Sequence, residues 1–263
     1  MVRAGMNLKP RFDHYVGIVS APASADCSHQ QLLDLCAQPV CVMQPMPYFP
    51  GAAYAALDGA KARLDSLKES IAALRDAQAE VIAQFGGYWS LPYAPDIDTA
   101  RELERSLTDE FKIPVLLNWV AIVDALLAVK SKRISVAAGY YRPEWTRASV
   151  DFLESAGFEV LWAGDVIDQG IVADHEGKLA IEAATRWDYP DEIVLEACVD
   201  AAKRAPECDA ICQTGAGMRT TYVVTEVEAQ AGKPLVATDI ALFWAVMRTL
   251  EIKPKGEIGR LFA

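Results

Sequence analysis

Short apolar runs alternate along this chain with longer stretches in which apolar residues return every three or four positions. The runs predict strands at Tyr15–Ser20, Pro39–Met43, Glu80–Phe85 and Pro114–Leu117, and a second series at Arg133–Ala138, Glu159–Trp162, Asp209–Gln213 and Pro234–Thr238. The longest helical stretch is about Ala52–Ala77, with Leu57, Ala60, Leu64, Leu67, Ile71 and Leu74 at helical spacing. Further helices are predicted at Asp98–Glu110, Val120–Val129, Glu144–Ala156, Asp191–Arg204, Tyr222–Ala231 and Ile240–Leu250. Strand–helix alternation of this kind makes βαβ units and a parallel sheet. Gly164–Pro190 reads as turn-rich, and no other long linker interrupts the pattern.

The two series repeat one another. Ile82-Ala-Gln-Phe-Gly-Gly-Tyr-Trp-Ser90 aligns with Ile211-Cys-Gln-Thr-Gly-Ala-Gly-Met-Arg219, and Pro114-Val-Leu-Leu-Asn-Trp-Val-Ala121 with Pro234-Leu-Val-Ala-Thr-Asp-Ile-Ala241. Any two βα units share some likeness, but the matched order fits a duplicated α/β domain better. The expected architecture is two pseudo-symmetric flavodoxin-like halves, residues 1–118 and 119–239, with 240–263 packing back on the first. Ligands would bind where the strand C-termini of the halves face each other.

Gly86-Gly87-Tyr88-Trp89-Ser90 and Gly215-Ala216-Gly217-Met218-Arg219-Thr220 each follow a strand and precede a helix. Glycine lets backbone N–H groups approach a ligand, and a helix N-terminus adds partial positive charge. Two such loops in register suggest a pocket for one or two carboxylates. Neither has P-loop or dinucleotide spacing, so no nucleotide is implied.

Composition narrows the function. The 263 residues are 52% hydrophobic and 23% charged, which suits packed domains rather than disorder. A net charge of −11 argues against nucleic acid or an anionic membrane as the main partner. No apolar run approaches the length of a membrane span, and the start lacks a signal-peptide stretch, so the expected location is cytoplasmic. The six cysteines, Cys27, Cys36, Cys41, Cys198, Cys208 and Cys212, form no CxxC pair, and the three histidines lie far apart; free thiols and no metal are expected. Cys36, Cys41 and Cys198 sit in apolar runs and read as core.

The order GIVSAP, VIAQFGGYWS, SVAAGYYRPEW, PECDAICQTGAGMRT, EVEAQAGKPLVAT, LFWAVMRTL and GEIGRLF resembles the aspartate/glutamate racemase superfamily, and within it arylmalonate decarboxylase and maleate cis-trans isomerase. The resemblance spans nearly the whole chain, strongest after Pro206. It implies a cofactor-independent site between two flavodoxin-like halves, where one cysteine per half moves protons or attacks substrate. Those positions fall here at Gly86 and Gly215, so both thiols are absent; Cys212 lies three residues before the second. The same resemblance matches Tyr140 to a tyrosine that hydrogen-bonds a substrate carboxylate. It also matches the N–H groups of Gly87, Tyr88, Ala216 and Gly217 to donors that hold carboxylate or enediolate oxygens. Ser90 and Thr220 fall near family hydroxyl positions, or act as helix caps.

Trp119 and Asp239 open equivalent helices. Asp239 either caps its helix or faces the pocket as the acid or base that replaces a thiol. Tyr88, Trp89 and Trp119 suggest an aromatic wall or core packing. Arg219 either pairs with a substrate carboxylate or lies exposed on its helix. Asp26, Cys27 and His29 follow the first strand as a lid or a solvated loop. The expectation is an enzyme without cofactor, a decarboxylase-like lyase acting on a small carboxylate with a planar or apolar part. Its alternatives are an isomerase or racemase with non-thiol bases, a hydrolase whose activated water occupies the space at Gly86 and Gly215, and a carboxylate-binding protein without activity. A homo-oligomer remains open.

Overall fold

The computed structural model describes residues 10–20, 28–45 and 60–263, without the side chain of Tyr88. Strands β1 (His14–Ser20), β2 (Val40–Met43), β3 (Val81–Phe85) and β4 (Val115–Leu117) form one sheet in the order β2-β1-β3-β4. Strands β5 (Arg133–Gly139), β6 (Glu159–Asp165), β7 (Ala210–Gln213) and β8 (Leu235–Ala237) form a second in the equivalent order β6-β5-β7-β8. Every pairing within them is parallel. The duplicated α/β architecture is therefore present, with all eight expected strands in place.

The helices are α1 (Ser28–Leu35), α2 (Ala60–Asp76), α3 (Ile97–Phe111), α4 (Asn118–Ala128), α5 (Pro143–Ser155), α6 (His175–Thr185), α7 (Asp191–Arg204), α8 (Val224–Ala231) and α9 (Thr238–Thr249). Helix α3 shows how local signals set them. The Asp96 side chain accepts from Thr99 N–H at 2.8 Å, Lys112 turns left-handed at the far end, and Ile97, Ala100, Leu107 and Phe111 bury one stripe. Helices α1 and α6 arise where no helix is predicted. The part of the long helical stretch before Ala60 lies outside the described residues.

Helices α4 and α9 join the halves. Each is buried on nearly all sides, as expected of an apolar helix between two layers. Phe85 at the end of β3 stacks on Phe243 of α9, with ring centroids 5.8 Å apart. One continuous core runs through Leu67, Trp119, Val136 and Cys212, drawing on both sheets. Beyond α9 residues 253–255 return to the first half, where Ala37 N–H donates to Lys253 O at 2.9 Å and Lys255 N–H to Leu35 O at 2.8 Å, while Arg260 N–H donates to Glu228 Oε2 of the second half at 2.9 Å. Among the described residues no helix is long and apolar enough to cross a membrane.

Candidate functional site: two glycine loops joined across the halves

The loops after β3 and β7 are built alike. Gly86 has φ 95° and ψ 102°, a conformation open to glycine and costly for a residue bearing Cβ. Gln84 folds its amide forward to donate to Gly86 O at 2.8 Å, and Gln213 donates to Gly215 O at 2.9 Å. A relay ties the loops together. Gly86 N–H donates to Asn118 Oδ1 at 2.9 Å, Asn118 Nδ2 donates to Thr238 O at 2.7 Å, and Thr238 Oγ1 donates to Gln213 O at 3.3 Å. Asn118 and Thr238 open the equivalent helices α4 and α9, so the strand ends of the halves meet in one neighbourhood.

Tyr140, just beyond β5, lies over the second loop. A Cβ placed on Gly215 would sit 3.0 Å from Tyr140 Cε1 and 3.2 Å from Gln213 Nε2, closer than ordinary packing allows. The Cβ side of Gly215 is thus lined by a phenol ring and an amide. Gly217 N–H, expected to hold a substrate oxygen, instead donates to Tyr140 Oη at 3.1 Å. Among the described residues no acceptor meets the N–H groups of Gly215 and Ala216, which leaves both available as donors.

Asp239 is fully buried beneath this loop. One of its oxygens accepts from Thr220 Oγ1 and from Ile240 N–H at 2.8 Å. The other accepts from Gln31 Nε2 at 2.9 Å and from Thr221 N–H and Oγ1, both at 3.0 Å. A carboxylate offers about four lone-pair sites, and these donors already fill them. Arg219 is not exposed on a helix: only 3% of it meets solvent, its Nη1 donates to Gln31 Oε1 at 3.3 Å, and its Nε lies 3.5 Å from Asp188 Oδ1. Ser90 Oγ donates back to Gly87 O at 3.2 Å and closes its own turn.

The aromatic wall differs from the expected one. Trp119 and Trp89 are buried, and Trp119 packs on Phe152 at 4.9 Å, so both are core residues. Trp119 still reaches the site, because a Cβ on Gly87 would lie 3.0 Å from its Nε1. The side chain of Tyr88 is outside the described residues. The segment after α6 supplies two of the rings around Tyr140: Tyr189 stacks on it at 5.5 Å and Trp187 meets it edge-on at 5.1 Å, while Tyr141 packs edge-on at 5.6 Å. Tyr189 N–H donates to Gly217 O at 3.1 Å, pinning that segment to the loop.

Several buried polar atoms near the loops have no hydrogen-bond partner among the described residues: Gln84 Oε1, Gln213 Oε1, Thr214 Oγ1 and Trp119 Nε1. Buried groups of this kind are met by ordered water or by a ligand. Cys212 is fully buried, and burial pushes its thiol up to about 12; burial likewise raises Cys198. Cys41 is only half-buried, contrary to its core reading. Asp26 and Cys27 lie outside the described residues, while His29 is the second residue of α1. No group of three or more metal-binding side chains occurs among the described residues.

Comparison with known proteins agrees with this fold. A maleate isomerase of Pseudomonas putida is 31% identical over 159 residues, which are 59% of this chain and 56% of that protein; the match thus spans little more than half the isomerase. Arylmalonate decarboxylase of Bordetella bronchiseptica is 24% identical over 207 residues, covering 78% of this chain and 80% of the relative. The structure of unliganded arylmalonate decarboxylase superposes with a TM-score of 0.74 at 20% identity, over 95% of this chain and 98% of that one. The family model for arylmalonate decarboxylase matches residues 53–262, the span that holds both glycine loops, Tyr140 and the helices joining the halves, and the chain belongs to that family.

Proposed function

We propose that this protein is a decarboxylase-type lyase acting on a small malonate-like acid that carries a planar or apolar substituent, without a catalytic thiol or a cofactor. The observation that carries this reading is Tyr140, whose ring covers Gly215 and whose hydroxyl is held by Gly217 N–H. A substrate carboxylate at the second loop would meet the N–H groups of Gly215 and Ala216 and the phenol. Breaking the bond to the departing carboxylate releases carbon dioxide and leaves the electron pair on the α-carbon. That pair spreads into the remaining carboxylate as an enediolate. Donors fixed in advance stabilise such a developing charge, and a single donor of this kind contributes about 100- to 1,000-fold in rate. The Tyr140 hydroxyl then gives a proton to the carbon and is reprotonated from water. Asp239 anchors Thr220, Thr221 and Gln31 instead of moving protons, and Arg219 steadies a substrate carboxylate. The Gly86 and Gly87 loop, with Trp119 Nε1 beside it, offers the opposite wall.

Proton NMR in deuterated water tests this against a panel of malonates, maleate and cyclic amides. The proposal predicts loss of one carboxylate from an arylmalonate and deuterium at its α-carbon. The reaction should survive iodoacetamide and fall about 100-fold or more in Tyr140→Phe. Complete inactivation by iodoacetamide, prevented by substrate, would return the chemistry to a cysteine. A second reading, maleate-type isomerisation by non-thiol bases, is favoured by the 31% identity to the Pseudomonas putida isomerase; conversion of maleate with no loss of carbon would establish it.

A further inference from the structure

Two opposite charges lie buried at the second loop without forming a direct pair. Asp239 is fully buried and Arg219 is 3% exposed, yet the ion pair found for Arg219 among the described residues is with Asp188, at 3.5 Å. Between the two charges sits Gln31, fully buried on α1 and so contributed by the first half. Its amide is used at both ends: Oε1 accepts from Arg219 Nη1 at 3.3 Å, and Nε2 donates to Asp239 Oδ2 and to Thr221 Oγ1, each at 2.9 Å. The chemistry fixes the amide orientation, because guanidinium only donates and carboxylate only accepts. Opposite charges in a poorly screened interior attract strongly, and a neutral amide that answers both is a way to hold them apart.

We propose that Gln31 is a positioning residue, a neutral spacer that keeps Arg219 and Asp239 from pairing directly with each other. Its effect on ligand rests on the carboxylate-binding reading above; its effect on the two charges does not. Without the spacer, Arg219 would turn onto Asp239, which withdraws the guanidinium from a substrate carboxylate and frees Thr221 from its anchor. Among the described residues, Asp188 also faces Arg219, and the Cys198 thiol lies close enough to Asp239 to feel its charge.

Two variants test the spacer separately from the function. In a crystal structure of Gln31→Ala, a direct Arg219–Asp239 ion pair is expected; Arg219 still on Asp188 with Asp239 unchanged overturns the proposal, whatever ligands do. Gln31→Glu supplies a switch. Protonated, the glutamic acid can still donate to Asp239 and accept from Arg219, as Gln31 does. Ionised, it claims Arg219 for itself and repels Asp239. Calorimetry with phenylmalonate should therefore give near-native affinity for Gln31→Glu on the acid side and about tenfold weaker binding at alkaline pH, about 1.4 kcal/mol, beyond any change in the unaltered protein. Equal weakening at every pH, or none at any pH, overturns the spacer role. If the unaltered protein itself fails to bind phenylmalonate, the functional reading falls, and the crystal structure alone decides the role of Gln31.

Discussion

At the scale of single residues, the second loop is shaped by the ring that lies over its glycine. Tyr140 approaches Gly215 so closely that a Cβ there would meet its ring at 3.0 Å, and Tyr189 and Trp187 hem the ring in from behind. Gly215→Cys therefore forces a packed aromatic group to move. We expect it to cost about 1–3 kcal/mol, as overpacking does, seen as a lowered denaturation midpoint with an unchanged slope. A variant as stable as the parent would show that the ring yields freely. The glycines, Trp119, Arg219 and Asp239 are legible in the sequence as candidates from loop position and residue chemistry, and Tyr140 from the family resemblance. Their partners were not. Gln31 looks like an ordinary polar residue until the first half brings it 2.9 Å from Asp239. Gln84 and Gln213 stand out in the repeat, but the forward fold of their amides onto Gly86 and Gly215 is a matter of side-chain geometry.

At the scale of elements, the strands were readable because fully buried parallel strands are near-continuous apolar runs. Helices α1 and α6 were not, because they bury polar side chains: Ser28 and Gln31 in α1, Lys178 and Glu182 in α6. With amides or charges on the inward face the apolar stripe shrinks to Leu32 and Leu35 in the short α1 and is missing from the buried positions of α6. Trp187 and Tyr189, which replace the expected aromatic wall, follow α6 and were hidden with it. Helix α3 makes a testable contribution through Glu104, whose carboxylate accepts from Leu117 N–H at 2.7 Å and so holds the end of β4 just before Asn118 and Trp119. Burial pushes the Glu104 carboxyl up to about 7 from 4.5, with the Asp124 charge adding to the shift. The folded protein then keeps a proton that the unfolded chain has released, so stability falls as pH rises from about 4.5 to about 7. Glu104→Gln keeps an acceptor for Leu117 and removes the ionisation. Urea titrations should show a flatter stability profile across that interval; a profile identical to the parent would contradict this account of Glu104.

At the scale of the whole molecule, the duplication explains why one site needs both halves. Helices α4 and α9 occupy equivalent places, and Asn118 on one reaches the carbonyl of Thr238 on the other at 2.7 Å while accepting from Gly86. Removing that amide leaves a buried N–H and a buried carbonyl unmet. Asn118→Ala should cost about 1–3 kcal/mol and weaken carboxylate binding with it, measured by thermal unfolding and calorimetry on the same samples. Loss of stability with unchanged binding would separate the relay from the site. The central claim is that a carboxylate is held where the two glycine loops converge. An amide NMR titration with phenylmalonate tests it most directly. The account predicts that the signals of Gly86, Gly87, Gly215 and Ala216 move together and saturate at one ligand per chain. Shifts confined to another hollow, such as the one lined by Tyr141, Arg142 and Lys178, with those four signals unmoved, would contradict it.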